Sequence, residues 1–337
     1  MKYYRRTIVY TKCPLEGAFQ YRDKFIIQPI TRANRPHCPY AKHYPIYLDY
    51  CLEAEEGLSE FVLIERDIDN SRKICSILTA LSNFEFFTYY SSSFWGVEAP
   101  SVSFDEMTQG DKEVANEAAK TSKWILGIGY TYPEIAKDRI IQSLSFPEGT
   151  AEVEMDANPY YFTDNPIQEE KEHISFHEKI AEALDTFYAL DDRKRENVYS
   201  AIVLVADGIR LGLQYQSVGF VCFISSIETM MDLEFRGFKI MHCKECGQPV
   251  FSVSRKFLAY LSKYVSNTKK STQKFKRLYT LRSKIAHSGK LFLSDREFSL
   301  LNRDTSDAEW FTYLETQQLA RLSLFRWLLL NGIEENA

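Results

Sequence analysis

The rhythm of apolar and polar positions changes once along this chain. In the first part, short apolar runs alternate with polar positions and are broken by turn residues, a period-two pattern that predicts strands over 6–10, 25–30, 45–52 and 61–64. A helix is predicted over 70–87, where Ile74, Ile77, Leu78 and Leu81 share one face. Proline-rich turns such as Arg35-Pro36-His37-Cys38-Pro39 separate the strands. Further on, Trp95 and Trp124 flank a polar stretch, 108–122, that reads either as another helix or as a loop.

Past a proline-broken turn cluster at 158–166 the rhythm becomes helical. Asn165 can cap a helix with Pro166 at its first position, and Ile174, Ile180, Leu184 and Phe187 extend it to about 190. Helices follow over 192–213 and 217–235. The second is apolar nearly all round through Phe220, Val221, Phe223, Ile224 and Ile227, so it is expected in the middle of a bundle. Phe275, Leu278, Leu281 and Ile285 then recur at helical spacing up to Gly289, a helix stop. Ser306-Asp307-Ala308-Glu309 reads as a capping box opening a last helix through Trp310, Leu314, Leu322, Phe325 and Leu328, with Asn331-Gly332 at its end. The pattern predicts an α+β N-terminal domain over 1–165 followed by an all-α helical bundle over 166–337.

Composition narrows the partners. At 337 residues and 45% hydrophobic, the chain can bury a substantial core in two domains. Neither a leader segment nor an apolar run approaching ~20 residues is visible, and the seven scattered cysteines suit a reducing compartment, so a cytoplasmic protein without a membrane span is expected. The formal net charge is -5. Against that acidic background, 251–290 carries Arg255, Lys256, Lys263, Lys269, Lys270, Lys274, Lys276, Arg277, Arg282, Lys284 and Lys290 with no Asp or Glu. Such a local block suits a polyanion, with Lys274, Lys276, Arg277, Lys284 and Lys290 as candidate contacts to it. Phe257, Tyr260, Tyr264, Phe275 and Tyr279 interleave with the charges; those that stay exposed can stack on unpaired bases, and the others belong to a core.

Within this block, Leu281-Arg282-Ser283-Lys284-Ile285-Ala286-His287-Ser288-Gly289 puts a histidine in the last turn of a helix. At 100° per residue, Ser283 and His287 share a face, whereas Arg282 lies about 140° round from His287, so one helix is not expected to aim both groups at one atom. A second copy of the helix can. Imidazole carries protons near neutrality, and a forked, permanently charged guanidinium matches a phosphate on which charge builds. Without further context, the same residues read as a surface arginine and a histidine favourably placed on the helix dipole.

The Arg282-x4-His287 spacing resembles the R-x4-6-H motif of HEPN domains, and the surrounding residues resemble the bacterial Apea-like branch found in phage-defence proteins. The resemblance covers roughly the C-terminal half. It implies a HEPN-like helical bundle acting as a homodimer, in which paired helix ends form a composite cleft and cut RNA without a metal through attack of the ribose 2′-OH. It further implies roles for His287 as acid and base, Arg282 as phosphate clamp, Ser283 as a phosphate or orienting contact, and Glu228 as an orienting carboxylate. The family usually carries Asn, Asp or His where this chain has Ser283. That departure supports a competing expectation, a non-catalytic HEPN-type dimerisation or RNA-binding module. For the N-terminal domain the resemblance implies only sensing of a trigger or positioning of the nuclease, and the trigger or any neutralising partner stays open.

Apart from that resemblance, Glu228 is an ionisable group in an apolar helix and needs a partner, Arg282 or a lysine. Cys243-x2-Cys246-Gly247, within an insert at 242–247, has the shape of half a zinc knuckle; it reads either as part of a structural zinc site or as a metal-free turn. Gly127-Ile128-Gly129 lacks the third glycine of a dinucleotide loop and reads as a strand. His37, Cys38 and His43 have no matching half-site, and His173 and His177, one turn apart on the helix predicted there, read as part of a solvated face more than as a metal pair.

Overall fold

The protein is described by a computed structural model covering residues 2–30, 44–53, 57–88, 108–110, 112–113, 140–157, 172–212, 214–237, 253–296 and 303–334. The chain divides into two compact units, the first comprising Met1–Ser76, Phe84–Glu154 and Lys171–Phe176, the second Ile77–Asn83, Met155–Glu170 and His177–Ala337. An antiparallel sheet region dominates the N-terminal part and helices dominate the C-terminal part. The 158–166 turn cluster, Trp95, Trp124, Gly127-Ile128-Gly129, His37, Cys38, His43, Cys243 and Cys246 all lie outside the described residues, as does most of 108–122.

In the first unit, β1 (Lys2–Thr11), β2 (Phe19–Tyr21), β3 (Phe25–Pro29), β4 (Tyr44–Glu53), β5 (Phe86–Phe87) and β6 (Ile140–Ile141) form one sheet in the order β2-β3-β4-β1-β5, with β6 also paired to β1. The period-two pattern sets the register. Thr7, Val9 and Thr11 point to one buried face, and Arg6 on the other stands opposite Asp49. Both Arg6–Asp49 hydrogen bonds are 2.7 Å long, and Gln28 donates to the same carboxylate at 2.7 Å, so a nearly inaccessible Asp49 is satisfied.

Two sequence expectations fail here. The run 61–64 is helical, not a strand: α1 spans Glu60–Ser82, and Ser59 starts it by accepting from the Leu63 and Val62 N–H groups. Its β-branched and aromatic composition reads as strand, but Asp67, further along the same helix, takes a bidentate contact from Arg5 (2.8 Å at Nη2) that ties the segment to the sheet. The helix also stops earlier than predicted. Asn83 adopts a left-handed φ of 67°, which frees Phe86 and Phe87 to pair with Thr11 and Tyr10.

The second unit is built from α2 (Ile180–Ala189), α3 (Asp192–Leu211), α4 (Gln216–Glu234), α5 (Val253–Tyr264), α6 (Lys269–Ser288) and α7 (Arg303–Glu334), with a 3-10 turn at Leu293–Asp295. As its composition requires, α4 is central: Phe220, Phe223, Ile224, Ile227, Met230 and Met231 are buried, and α3, α5, α6 and α7 pack around it. Gly208 of α3 allows the close approach, because a methyl there would overlap the Phe223 ring at 2.5 Å.

The helix expected from 167 begins only at Ile180. Before it, Ser175–His177 forms a short strand, β8, the partner in chain order of β7 (Glu154–Asp156), so His173 and His177 do not share a helical face. His177 is buried, and His173 instead meets Glu154 at 2.6 Å. Nor does 306–309 cap the last helix. That helix starts at Arg303 and continues past Asn331-Gly332 to Glu334, while the Glu309 carboxylate accepts from the Leu293 and Ser294 N–H groups of the 3-10 turn.

Candidate active site

Helix α6 is delimited at both ends by residues suited to the task. Thr268 caps its start by accepting from Ser271 N–H at 3.1 Å, and Gly289, at φ 62°, ends it by returning its N–H to the Ile285 carbonyl at 3.2 Å. Phe275, Leu278 and Ile285 are buried, which fixes the rotation of the helix and leaves Ser283, Lys284 and His287 exposed.

The chain after Gly289 locks this end against α4. Phe292 N–H donates to Ser217 Oγ at 2.7 Å, and the Asp295 carboxylate accepts from Gln216 and Ser217 N–H at 2.7 Å each, capping α4 from 79 residues away. With Phe292 opposite the start of α4 and Arg282 opposite Glu228 near its other end, the two helices run antiparallel. The sequence holds no local sign of the Asp295 contact, since a cap is normally read within one turn of its helix.

Arg282 is the centre of the cluster. Its Nη2 donates to Glu228 Oε2 at 3.0 Å and its Nη1 lies 3.3 Å from His287 Nε2. The two groups meet each other because the arginine side chain is long enough to sweep round the helix and reach a residue about 140° away. Because Arg282 has no lone pair to offer, His287 Nε2 accepts and a neutral ring carries its proton on Nδ1. Arg282 Nε is buried with no hydrogen-bond partner among the described residues. Ser283 is exposed and takes part in none of these bonds.

Glu228 is half-buried, and burial pushes its carboxyl above the usual carboxylate range; the Arg282 guanidinium opposes this only in part, while Asp232 adds to it. The ion pair places Glu228 where the apolar context demanded a partner. Tyr279, one turn before Arg282, is also half-buried, with its ring 4.9 Å from Phe257 and its hydroxyl pushed upward by burial and by the Glu228 carboxylate.

The basic block resolves into two populations. Lys274 and Arg277 both contact the buried carboxylate of Glu315, at 3.2 and 2.6 Å, and Lys263 contacts Glu234 at 2.6 Å. These cations are already neutralised by the bundle, so Lys274 and Arg277 are structural as well as basic. Lys276, Lys284 and Lys290 are exposed and make no ion pair among the described residues. Four of the five interleaved aromatics, Phe257, Tyr260, Tyr264 and Phe275, are core, leaving Tyr279 alone within reach of solvent. Glu315 was missed by sequence reasoning, although a carboxylate among the apolar positions of the last helix raises the same question as Glu228.

Among the described residues no group of three or more His, Cys, Asp or Glu side chains converges as a metal site does. No family model, curated protein or solved structure matches the chain, so what the cluster can do rests on its own chemistry.

Proposed function

We propose that the chain is an endoribonuclease whose reacting groups are His287 and Arg282, with Glu228 as the positioning carboxylate. The observation that carries this reading is the Glu228–Arg282–His287 chain of contacts, 3.0 and 3.3 Å, at an exposed helix end beside Lys284 and Lys290, with exposed Lys276 further back on the same helix. A proton acceptor, a fixed forked cation and surrounding positive charge are the parts that RNA cleavage by an internal nucleophile requires.

In the proposed reaction His287 Nε2 takes the ribose 2′-OH proton as the 2′-oxygen bonds to the adjacent phosphorus. The P–O5′ bond breaks, and the leaving 5′-oxygen receives a proton from a second imidazole. Arg282 neutralises the charge that builds on the non-bridging oxygens. Supplying that second imidazole is the reason to propose a homodimer through the HEPN-like bundle, with two helix ends facing one cleft. Work in the bacterial cytoplasm in antiphage defence is the setting that the Apea-like resemblance implies. If zinc binds Cys243 and Cys246, its role would be structural.

The exposed and unengaged Ser283 favours one second reading, a HEPN-type module that binds RNA or dimerises without cutting. Incubating purified protein with labelled single-stranded RNA separates the two. Cleavage that is lost in His287→Ala, with RNA binding retained, supports the enzyme. Equal cleavage by both proteins refutes the assignment, and binding without cleavage by either leaves the module.

A further inference from the structure

We infer that the outer face of α6 is a track for a single strand of RNA, which runs from Lys269 past Lys276 and so brings one of its phosphodiesters to His287. The inference rests on the ribonuclease reading for what happens at His287, but the track is a binding surface and is open to test without cleavage.

Helix geometry makes the track. At 100° per residue, Lys269, Lys276, Thr280, Ser283 and His287 fall within about 60° of one another, opposite the side that buries Phe275, Leu278 and Ile285. All five are exposed. Between Lys276 and His287 the stripe holds the short side chains of Thr280 and Ser283, and the Thr280 hydroxyl donates back to the Lys276 carbonyl at 2.9 Å, so the floor is low.

Charge separates this face from an ordinary solvated one. A water-facing helix surface usually mixes both signs, yet Lys269–Ser288 contains no Asp or Glu. Glu228 and Glu315, which reach α6 from neighbouring helices, are already matched, the first by Arg282 and the second by Lys274 and Arg277. Lys269 and Lys270 also occupy the first turn, with no acidic residue there, where the positive end of the helix dipole disfavours a cation. That end attracts an anion, so residues that weaken the free helix strengthen it once a phosphate is bound.

The spacing suits a polynucleotide. At a rise of about 1.5 Å per residue, Lys276 and Lys269 lie about 17 and 27 Å from His287 along the axis, the span of roughly five and eight nucleotides at the ~3.4 Å per-strand spacing of a stacked helix. A single strand is the form that fits. Attack by the 2′-oxygen needs that oxygen, the phosphorus and the 5′-oxygen in line, which a paired and stacked strand resists, and the deep, narrow major groove of an RNA duplex does not admit a helix.

The test uses the full-length protein and oligomers of 2′-O-methyluridine, which lack the attacking hydroxyl and so cannot be cut. Their affinity is measured by fluorescence anisotropy over a range of salt. For a twelve-nucleotide strand, Lys269→Ala and Lys276→Ala should each lower the log–log salt slope by about 0.7, and the double variant by about 1.4, while Lys194→Ala on α3 leaves it unchanged. Lys269→Arg keeps the charge and should keep the slope. A four-nucleotide strand seated at the His287 end does not reach Lys269, so its slope should be the same in Lys269→Ala as in the wild type.

Slopes unchanged in both alanine variants overturn the track, and so does an equal loss for the short and the long strand in Lys269→Ala. Tighter binding of a twelve-base-pair RNA duplex overturns the single strand, and polyglutamate with the same dependence on Lys269 and Lys276 overturns RNA in favour of an acidic protein. Unmodified RNA keeps this inference apart from the ribonuclease reading. Cleavage with unaltered slopes sinks the track alone; the expected slopes without cleavage uphold the track and sink the ribonuclease.

Discussion

Arg282 Nη1 stands 3.3 Å from His287 Nε2, five residues on along one helix, while its other terminal nitrogen holds Glu228 at 3.0 Å. The cation is shared between a carboxylate it neutralises and an imidazole whose lone pair it occupies. Each partner makes a different demand on the guanidinium, and substitutions at the three positions should therefore have separable effects.

Arg282→Lys keeps the charge and loses the fork. A lysine ammonium can still pair with Glu228, so the fold should persist, but it cannot present two parallel N–H groups to a phosphate. RNA cleavage is expected to fall by ~10²–10³-fold, the loss seen when one donor to a developing oxyanion is removed. Single-turnover kinetics with thermal denaturation of the same sample check both halves; wild-type rates in Arg282→Lys would count against a phosphate clamp.

His287→Ala should reduce cleavage by ~10²–10⁴-fold, the range for a positioned general acid or base, while RNA affinity changes little. The side chain is exposed, so stability should be nearly unaffected. A matching loss of binding would point to His287 as a contact residue only.

Glu228→Gln probes the energetic cost of the carboxylate. Burial holds the Glu228 carboxyl above its ordinary value in the folded protein. The folded state thus binds that proton more tightly than the unfolded chain, so the group favours folding at acid pH, and this contribution is lost as pH rises through the raised value. The stability of wild type relative to Glu228→Gln should therefore decline from about pH 4 towards neutrality. Urea denaturation of both proteins at several pH values measures it, and an increase over that window would contradict the direction of the shift.

The two kinds of basic residue should respond differently to neutralisation. Replacing exposed Lys284 or Lys290 by Ala is expected to lower the salt dependence of RNA binding by about 0.7 in log–log slope per lysine, with little change in stability. Arg277→Ala instead strips one cation from buried Glu315, leaving Lys274, and should destabilise the fold by about 1 kcal/mol. If Arg277→Ala weakened RNA binding as much as the lysine variants at unchanged stability, its bundle contact would be incidental.

Gly289→Ala tests how the helix end is held. Nothing crowds a methyl there, so the cost comes from the backbone alone, which sits at φ 62°. A loss of ~1–2 kcal/mol is expected, read as a lower denaturation midpoint. Because Gly289 turns the chain that anchors Phe292 and Asp295 to α4, cleavage should decline in the same variant.

Local periodicity by itself determined the strands around Arg6–Tyr10, Phe25–Pro29 and Tyr44–Glu53, the span and centrality of α4, and the place of His287 in the last turn before a glycine stop. Those features follow from which neighbours in sequence can share a face and from where the backbone tolerates a left-handed residue, both written into a few consecutive positions. It also showed that Glu228 needs a cation. Only the tertiary structure chose Arg282 from that basic block, because the choice depends on the antiparallel setting of two helices 54 residues apart.

The same dependence on distant packing explains the misreadings. Glu309 was free to cap its own helix or the turn before it, Lys274 and Arg277 to face solvent or Glu315, and the interleaved aromatics to stack on bases or fill a core. Each side chain has two locally acceptable partners, and the one that prevails is set by which elements burial brings alongside, a quantity that no window of neighbouring residues contains.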